Sequence, residues 1–160
     1  LDAPSRDDLL ALLAGRPRWP SALTGRPLRP GQARGPLLGG NLTLLCHLLG
    51  TPHFPPLEGA ILLLEDLGEA PYRLDRMLTQ LELAGVWRQV AGVAVGSLSD
   101  QPQDAESLTA TVATRLSALP RPVVMGLPVG HGPANRLVPL GALAEIDGEA
   151  GRLTVGVELA

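Results

Sequence analysis

The chain has 160 residues, of which 45% are hydrophobic and 18% charged. That is enough apolar material for one domain with its own core, and too much for disorder. A net charge of −3 leaves no concentrated basic surface of the kind nucleic acid requires, so no nucleic-acid partner is expected. All 13 cations are Arg, which excludes a Schiff-base lysine, pyridoxal phosphate anchoring and a P-loop lysine. A single cysteine, Cys46, excludes an internal disulfide and any multi-thiolate metal site. His47 and His53 have no partner at metal-ligand spacing, so no metal site is expected. No apolar run approaches the roughly 20 residues that span a bilayer. A charged-then-apolar leader is also missing, so the expectation is a cytoplasmic protein with no membrane partner. The chain starts at Leu1 rather than Met, as a piece of a longer protein would.

In chain order, residues 5–13 read as a short helix with Ser5 as cap, Asp8 as the capping-box acid three residues on, and Gly15 as its end. Residues 16–35 are rich in Pro, Gly and Arg; they read as irregular chain with short strands near 22–24 and 32–35. Asn41 is a good N-cap for a helix over 42–49, closed by Gly50. The apolar run 60–64 has the length and flanks of a buried strand, although its periodicity alone does not exclude helix. Pro71 suits a helix start, and Leu74, Met77, Leu78 and Leu81 lie at helical spacing up to Gly85. A second buried strand is expected over 90–95, a helix over 104–117 and a third strand over 122–127. Residues 142–146 and 153–157 read as a closing hairpin. The fold class is α/β, with a mixed, partly parallel sheet and a C-terminal hairpin. No second domain is expected within residues 1–160.

Two of the buried strands are followed by groups capable of chemistry. Glu65-Asp66 follows the first, and Gly130-His131-Gly132 lies just beyond the third. If the strands are parallel, both segments emerge at one carboxyl edge, where open α/β sheets bind ligands. Glu65 and His131 would then form a general base oriented by an acid, two-thirds of a nucleophilic triad. The plainer alternatives are a solvated strand-end carboxylate and a surface-loop histidine. Neither Ser97 nor Ser99 has glycine two residues to either side, as the Gly-x-Ser-x-Gly elbow requires; Ser99 reads better as a turn residue. Gly39-Gly40-Asn41-Leu42 could cradle an anion at a helix start or be a tight turn with an N-cap. Glu69 and Arg73 read as an exposed i,i+4 pair.

Five segments, in order, carry a resemblance: Gly39-Gly40-Asn41-Leu42, Gly50-Thr51-Pro52, the stretch from Leu63-Leu64-Glu65-Asp66-Leu67-Gly68 through Leu78, Gly130-His131-Gly132, and Leu137-Val138-Pro139-Leu140-Gly141. From about Gly35 onward the chain resembles the C-terminal half of the LD-carboxypeptidases, the muramoyltetrapeptide carboxypeptidase family of serine peptidases. That resemblance implies a swivelling β/β/α-type domain. The family's glutamate falls at Glu65 and its histidine at His131. The nucleophile's Gly-x-Ser-Asp-x-Thr motif has no counterpart here, and Ser99-Asp100 mimics it only as a dipeptide. The resemblance therefore implies a C-terminal catalytic half, residues 1–160 with a partly irregular lead-in over 1–34, lacking its N-terminal nucleophile domain.

The activity so implied is removal of the terminal D-alanine from murein tetrapeptide in cell-wall recycling. The partners implied are murein tetrapeptide, the chain's own N-terminal nucleophile domain and a second copy in a full-length homodimer; no cofactor is implied. By itself the chain is expected to be inactive. Two other functions stay open: a microcin-immunity-type peptidase of the same family, and a non-catalytic binding module that has lost its nucleophile.

Overall fold

The structure is a computed structural model that describes residues 1–16, 22–99 and 102–156, without the side chains of 102–104. Its elements are α1 (Ala3–Leu13), β1 (Leu23–Thr24), β2 (Arg26–Arg29), β3 (Gln32–Asn41), α2 (Leu42–Leu48), β4 (Ile61–Glu65), α3 (Pro71–Leu83), α4 (Val86–Gln89), β5 (Gly92–Val95), α5 (Pro102–Leu116), β6 (Val123–Met125), β7 (Leu143–Asp147) and β8 (Arg152–Val155). One sheet takes all eight strands, in the order β1-β8-β7-β3-β4-β5-β6-β2. The central strands β3, β4, β5 and β6 are parallel, and the outer pairings are antiparallel. The fold is thus the expected mixed α/β type with a C-terminal hairpin. Residue 157, the expected hairpin end, lies outside the described residues.

The two edge strands of this sheet are almost adjacent in the chain. Only Gly25 separates β1 from β2, so the sheet curls nearly into a barrel, with Gly25 crossing from one edge to the other. Gly25 N donates to Gly151 O at 2.8 Å. A Cβ on Gly25 would run into Met125 O, so no larger residue fits this crossing.

Alternation along the strands sorts the core into two layers. Ile61 and Leu63 of β4, Ala94 of β5 and Val124 of β6 face the barrel interior, with Leu37, Ile146 and Leu153. Leu62, Leu64, Val93, Val95, Val123 and Met125 face outward and are covered by α2, α3 and α5 through residues such as Leu45, Leu78 and Leu116. Where α3 meets α5, Arg115 forks onto Asp75 at 2.5 and 2.9 Å and also reaches Thr79.

Several expectations are corrected. The cap of α1 is Asp2, whose side chain accepts from Ser5 N at 2.9 Å. Asp8 is no capping-box acid; it pairs with Arg136 across 128 residues of chain. β2 falls in sequence read as irregular, because Pro27 is tolerated in an edge strand where its missing N–H matters least. β3 runs on to Asn41, through glycines that disfavour strands by propensity. Their reason is tertiary: a Cβ on Gly35 or Gly39 would collide with a carbonyl of Gly59 or Leu63. The Gly39-Gly40 pair is therefore strand rather than turn. The short helix α4 was not expected. Asn41 does cap α2, accepting from Leu44 N at 3.0 Å.

Candidate active site

Because β3 to β6 are parallel, Asn41, Glu65, Gly96 and the segment after Met125 all reach one edge of the sheet. Glu65 is the last residue of β4 and shares the parity of Ile61 and Leu63, so its side chain leaves the strand toward the barrel mouth. It is 8% exposed. Asp66 has the opposite parity and turns toward α2. There its Oδ1 accepts from Asn41 Nδ2 at 3.0 Å and Leu67 N at 2.8 Å. Its Oδ2 accepts from Thr43 N and Thr43 Oγ1, both at 2.9 Å. Two adjacent acids thus have different jobs: Asp66 ties the strand end to the helix, and Glu65 is left at the edge.

His131 lies on the loop after β6. Ser97 anchors that loop from below: its N donates to Val129 O at 2.8 Å, and its Oγ accepts from Gly132 N at 3.1 Å. Within the loop, Gly130 N donates to Asn135 Oδ1 at 3.1 Å. Gly130 has φ +113°, a conformation that favours glycine. A Cβ there would lie 2.5 Å from Ser97 Oγ and 2.9 Å from Glu65 Oε2. So folded, the loop sets His131 Nδ1 2.6 Å from Glu65 Oε2. The two candidate residues, 66 positions apart, are brought into direct contact. A carboxylate on Nδ1 selects the tautomer with the proton there, leaving the lone pair of the neutral ring on Nε2. The imidazole side chain is 48% exposed, against 10% for the Glu65 side chain. Nε2 has no hydrogen-bond partner among the described residues.

An open cavity of about 570 Å³ adjoins the pair. Leu63, Val138, Leu140 and the bare backbone of Gly40 form its apolar wall, and Asn135 its polar one. The arrangement can move a proton through an oriented imidazole beside an apolar pocket. Among the described residues, no group of three His, Cys, Asp or Glu side chains is placed to hold a metal ion.

The other sequence candidates fall elsewhere. Ser99 lines a neighbouring cavity of about 260 Å³, and Asp100 lies outside the described residues. Glu69, just before α3, pairs with Arg73 of its first turn at 3.4 Å. His47 is in the last turn of α2. Burial pushes the Cys46 thiol up to about 11, so it is no nucleophile at neutral pH. Ser97 and Asn135, which hold the His131 loop, were not singled out for this task. A serine and an asparagine in a loop carry no periodic or motif signal of such a role.

The nearly barrel-shaped, mixed α/β sheet thus presents a carboxylate–imidazole pair at its carboxyl edge. The family described as the LD-carboxypeptidase C-terminal domain matches residues 34–146, and this chain belongs to it. A Synechocystis relative is 46% identical over 146 residues, covering 89% of this chain and 48% of its own length. The murein tetrapeptide carboxypeptidase of Pseudomonas aeruginosa is 40% identical over 122 residues, covering 73% of this chain and 39% of its own length. Among solved structures, the muramoyltetrapeptide carboxypeptidase from Oxalobacter formigenes superposes with a TM-score of 0.78 at 30% identity, over 99% of this chain and 57% of that one. An MccF-like protein from Bacillus anthracis shares the fold, with a TM-score of 0.76 at 19% identity over 98% of this chain and 57% of its own. The chain spans about half the length of the curated relatives it matches.

Proposed function

We propose that this chain is the C-terminal half of a serine LD-carboxypeptidase that removes the terminal D-alanine of murein tetrapeptide in cytoplasmic cell-wall recycling. Glu65 and His131 supply the acid and base of a Ser-Glu-His triad whose serine lies on a preceding domain. The observation that carries the reading is the 2.6 Å contact between His131 Nδ1 and Glu65 Oε2 beside an open apolar cavity. In the mechanism, His131 Nε2 takes the proton of the serine hydroxyl as that oxygen attacks the scissile carbonyl. Glu65 holds the ring in the right tautomer and offsets the imidazolium charge. His131 then returns the proton to the leaving amine of D-alanine, and water repeats the cycle on the acyl-enzyme. The murein substrate is preferred over a microcin-type one because the murein carboxypeptidases are 30–40% identical to this chain, against 18–19% for the microcin immunity proteins. The homodimer of the full-length protein belongs to the same proposal.

The test replaces the matching domain of the Oxalobacter enzyme by this chain and measures D-alanine release from murein tetrapeptide. The chimera is expected to be active, and the 160-residue chain alone inactive. Either His131→Gln or Glu65→Gln should lower kcat on the order of 10⁴-fold. Undiminished activity of the His131→Gln chimera would overturn the assignment, as would D-alanine release by the chain alone.

A further inference from the structure

In α1 the polar residues face inward. Ser5 and Asp8 are its buried residues, 1% and 7% exposed, while Leu10 and Leu13 are 56% and 74% exposed. None of its leucines belongs to either apolar cluster. Hydrophobic burial, which normally seats a surface helix, therefore contributes little here. Polar contacts must seat it instead, and they converge on one short segment. Asp2 N donates to Pro133 O at 2.8 Å. Ser5 Oγ accepts from Asn135 N at 2.9 Å. Asp8 accepts from Arg136 Nε at 2.5 Å and from Arg136 Nη2 at 3.1 Å. A two-pronged carboxylate–guanidinium pair fixes orientation as well as distance.

The receiving residues lead directly to His131. Asn135 Oδ1 accepts from Gly130 N at 3.1 Å, and Arg136 N donates to Pro128 O at 2.7 Å. The loop carrying His131 is thus pinned on both sides of the histidine by the two residues that α1 grips. We propose that α1 is a polar clamp on the His131 loop, with Ser5 and Asp8 as positioning residues that keep His131 Nδ1 on Glu65. Its catalytic meaning rests on the function proposed above, whereas the clamp itself is a property of this chain alone.

The test is nitrogen-15 histidine NMR of the 160-residue chain, reading water exchange of the His131 Nδ1 proton. The resonance is assigned by its loss in His131→Gln. A proton held on a carboxylate exchanges slowly; Asp8→Ala and Ser5→Ala should each speed its exchange at least tenfold while circular dichroism shows a folded chain. Asp75→Ala, which breaks the exposed α3–α5 pair, should leave it unchanged. If Asp8→Ala does not fold, Asp8→Asn and Ser5→Ala decide by the same readout. Unchanged exchange in the Ser5 and Asp8 variants, or an unprotected proton in the unsubstituted chain, would overturn the clamp. Fast exchange in Asp8→Ala alongside full activity of the His131→Gln chimera would keep the clamp and sink the triad.

Discussion

Gly130→Ala separates a cost in stability from a cost in geometry. At φ +113° an alanine is strained by about 1–3 kcal/mol. The added methyl would stand 2.5 Å from Ser97 Oγ and 2.9 Å from Glu65 Oε2. Ordinary carbon–oxygen contact begins near 3.4 Å. The Glu65 oxygen must therefore retreat by about 0.5 Å and the Ser97 oxygen by about 0.9 Å. Both are polar ends of side chains, so their retreat costs little stability; Glu65 Cβ, at 3.0 Å, must give by a few tenths of an ångström as well. It falls, however, on the carboxylate that holds His131 at 2.6 Å and on the hydroxyl that accepts from Gly132. Misplacement on the order of 1 Å in a catalytic group can cost about 100-fold in rate. Gly126→Ala is the control: φ is +69° and nothing lies within 4 Å of its Cβ, so it carries strain of about 1–2 kcal/mol and no collision. Urea denaturation should show the two variants destabilised by similar amounts. Only Gly130→Ala should lose about 100-fold in kcat in the chimeric enzyme. Equal activity in the two variants would refute the steric reasoning.

Asp66→Ala removes the acceptor for four hydrogen bonds and leaves Thr43 N and the Asn41 amide without their partner; a loss of about 2–4 kcal/mol is expected from urea denaturation. For Cys46, whose thiol burial pushes up to about 11, alkylation by iodoacetamide at pH 8 should run roughly two orders of magnitude slower in the folded chain than in urea. Since the folded chain holds this proton more tightly than the unfolded one, stability should fall between about pH 9 and pH 11, and Cys46→Ala should flatten that limb. On the acid side, three carboxylates sit below their ordinary range: Asp2 through its bond from Ser5, Asp75 through Arg115 and Asp147 through the Ala150 amide. Their contribution is present above the unfolded carboxylate range near 3.8 and disappears as pH falls through the lower folded values, so acid unfolding should begin below that range. Asp75→Asn should remove part of that pH dependence in a melt series.

Helix α3 and strands β4 to β6 were legible for different reasons: Leu74, Leu78 and Leu81 repeat at a helical period, whereas the apolar runs ending at Leu64, Val95 and Leu127 leave helix open by periodicity and read as buried strand by their length and flanks. Glu65 and His131 were legible as a pair on two grounds: parallel strands deliver their carboxyl ends to one edge, and the segments around the two residues resemble the family's motifs. β2 and most of β3 were hidden because their residues answer to close backbone approach. Pro27 sits on an edge, and Gly35 and Gly39 face carbonyls less than a side chain away. The inverted polarity of α1 was hidden for the opposite reason. Ser5 and Asp8 at spacing three imitate a capping box, and nothing local distinguishes an acid serving its own helix from one serving Arg136.

Groups of this chain hold Glu65 and His131 in place. β3 and β5 flank β4 in parallel register and fix where Glu65 ends; Ser97, on the segment leaving β5, holds the loop that carries the histidine. Asn135 and Arg136 tie that loop to itself and to α1. A pair assembled this way is preorganised before any partner docks, so none of its ordering cost falls on the docking step. On the function proposed above, the serine of a preceding domain would then meet an imidazole already turned to its working tautomer. Mixing separately purified halves should in that case fail or succeed by how well they dock, with the His131 Nδ1 proton equally protected before and after mixing. Protection that appeared only on mixing would mean that the partner builds the pair, and the division of labour argued from β4, β5 and the 128–136 loop would be wrong.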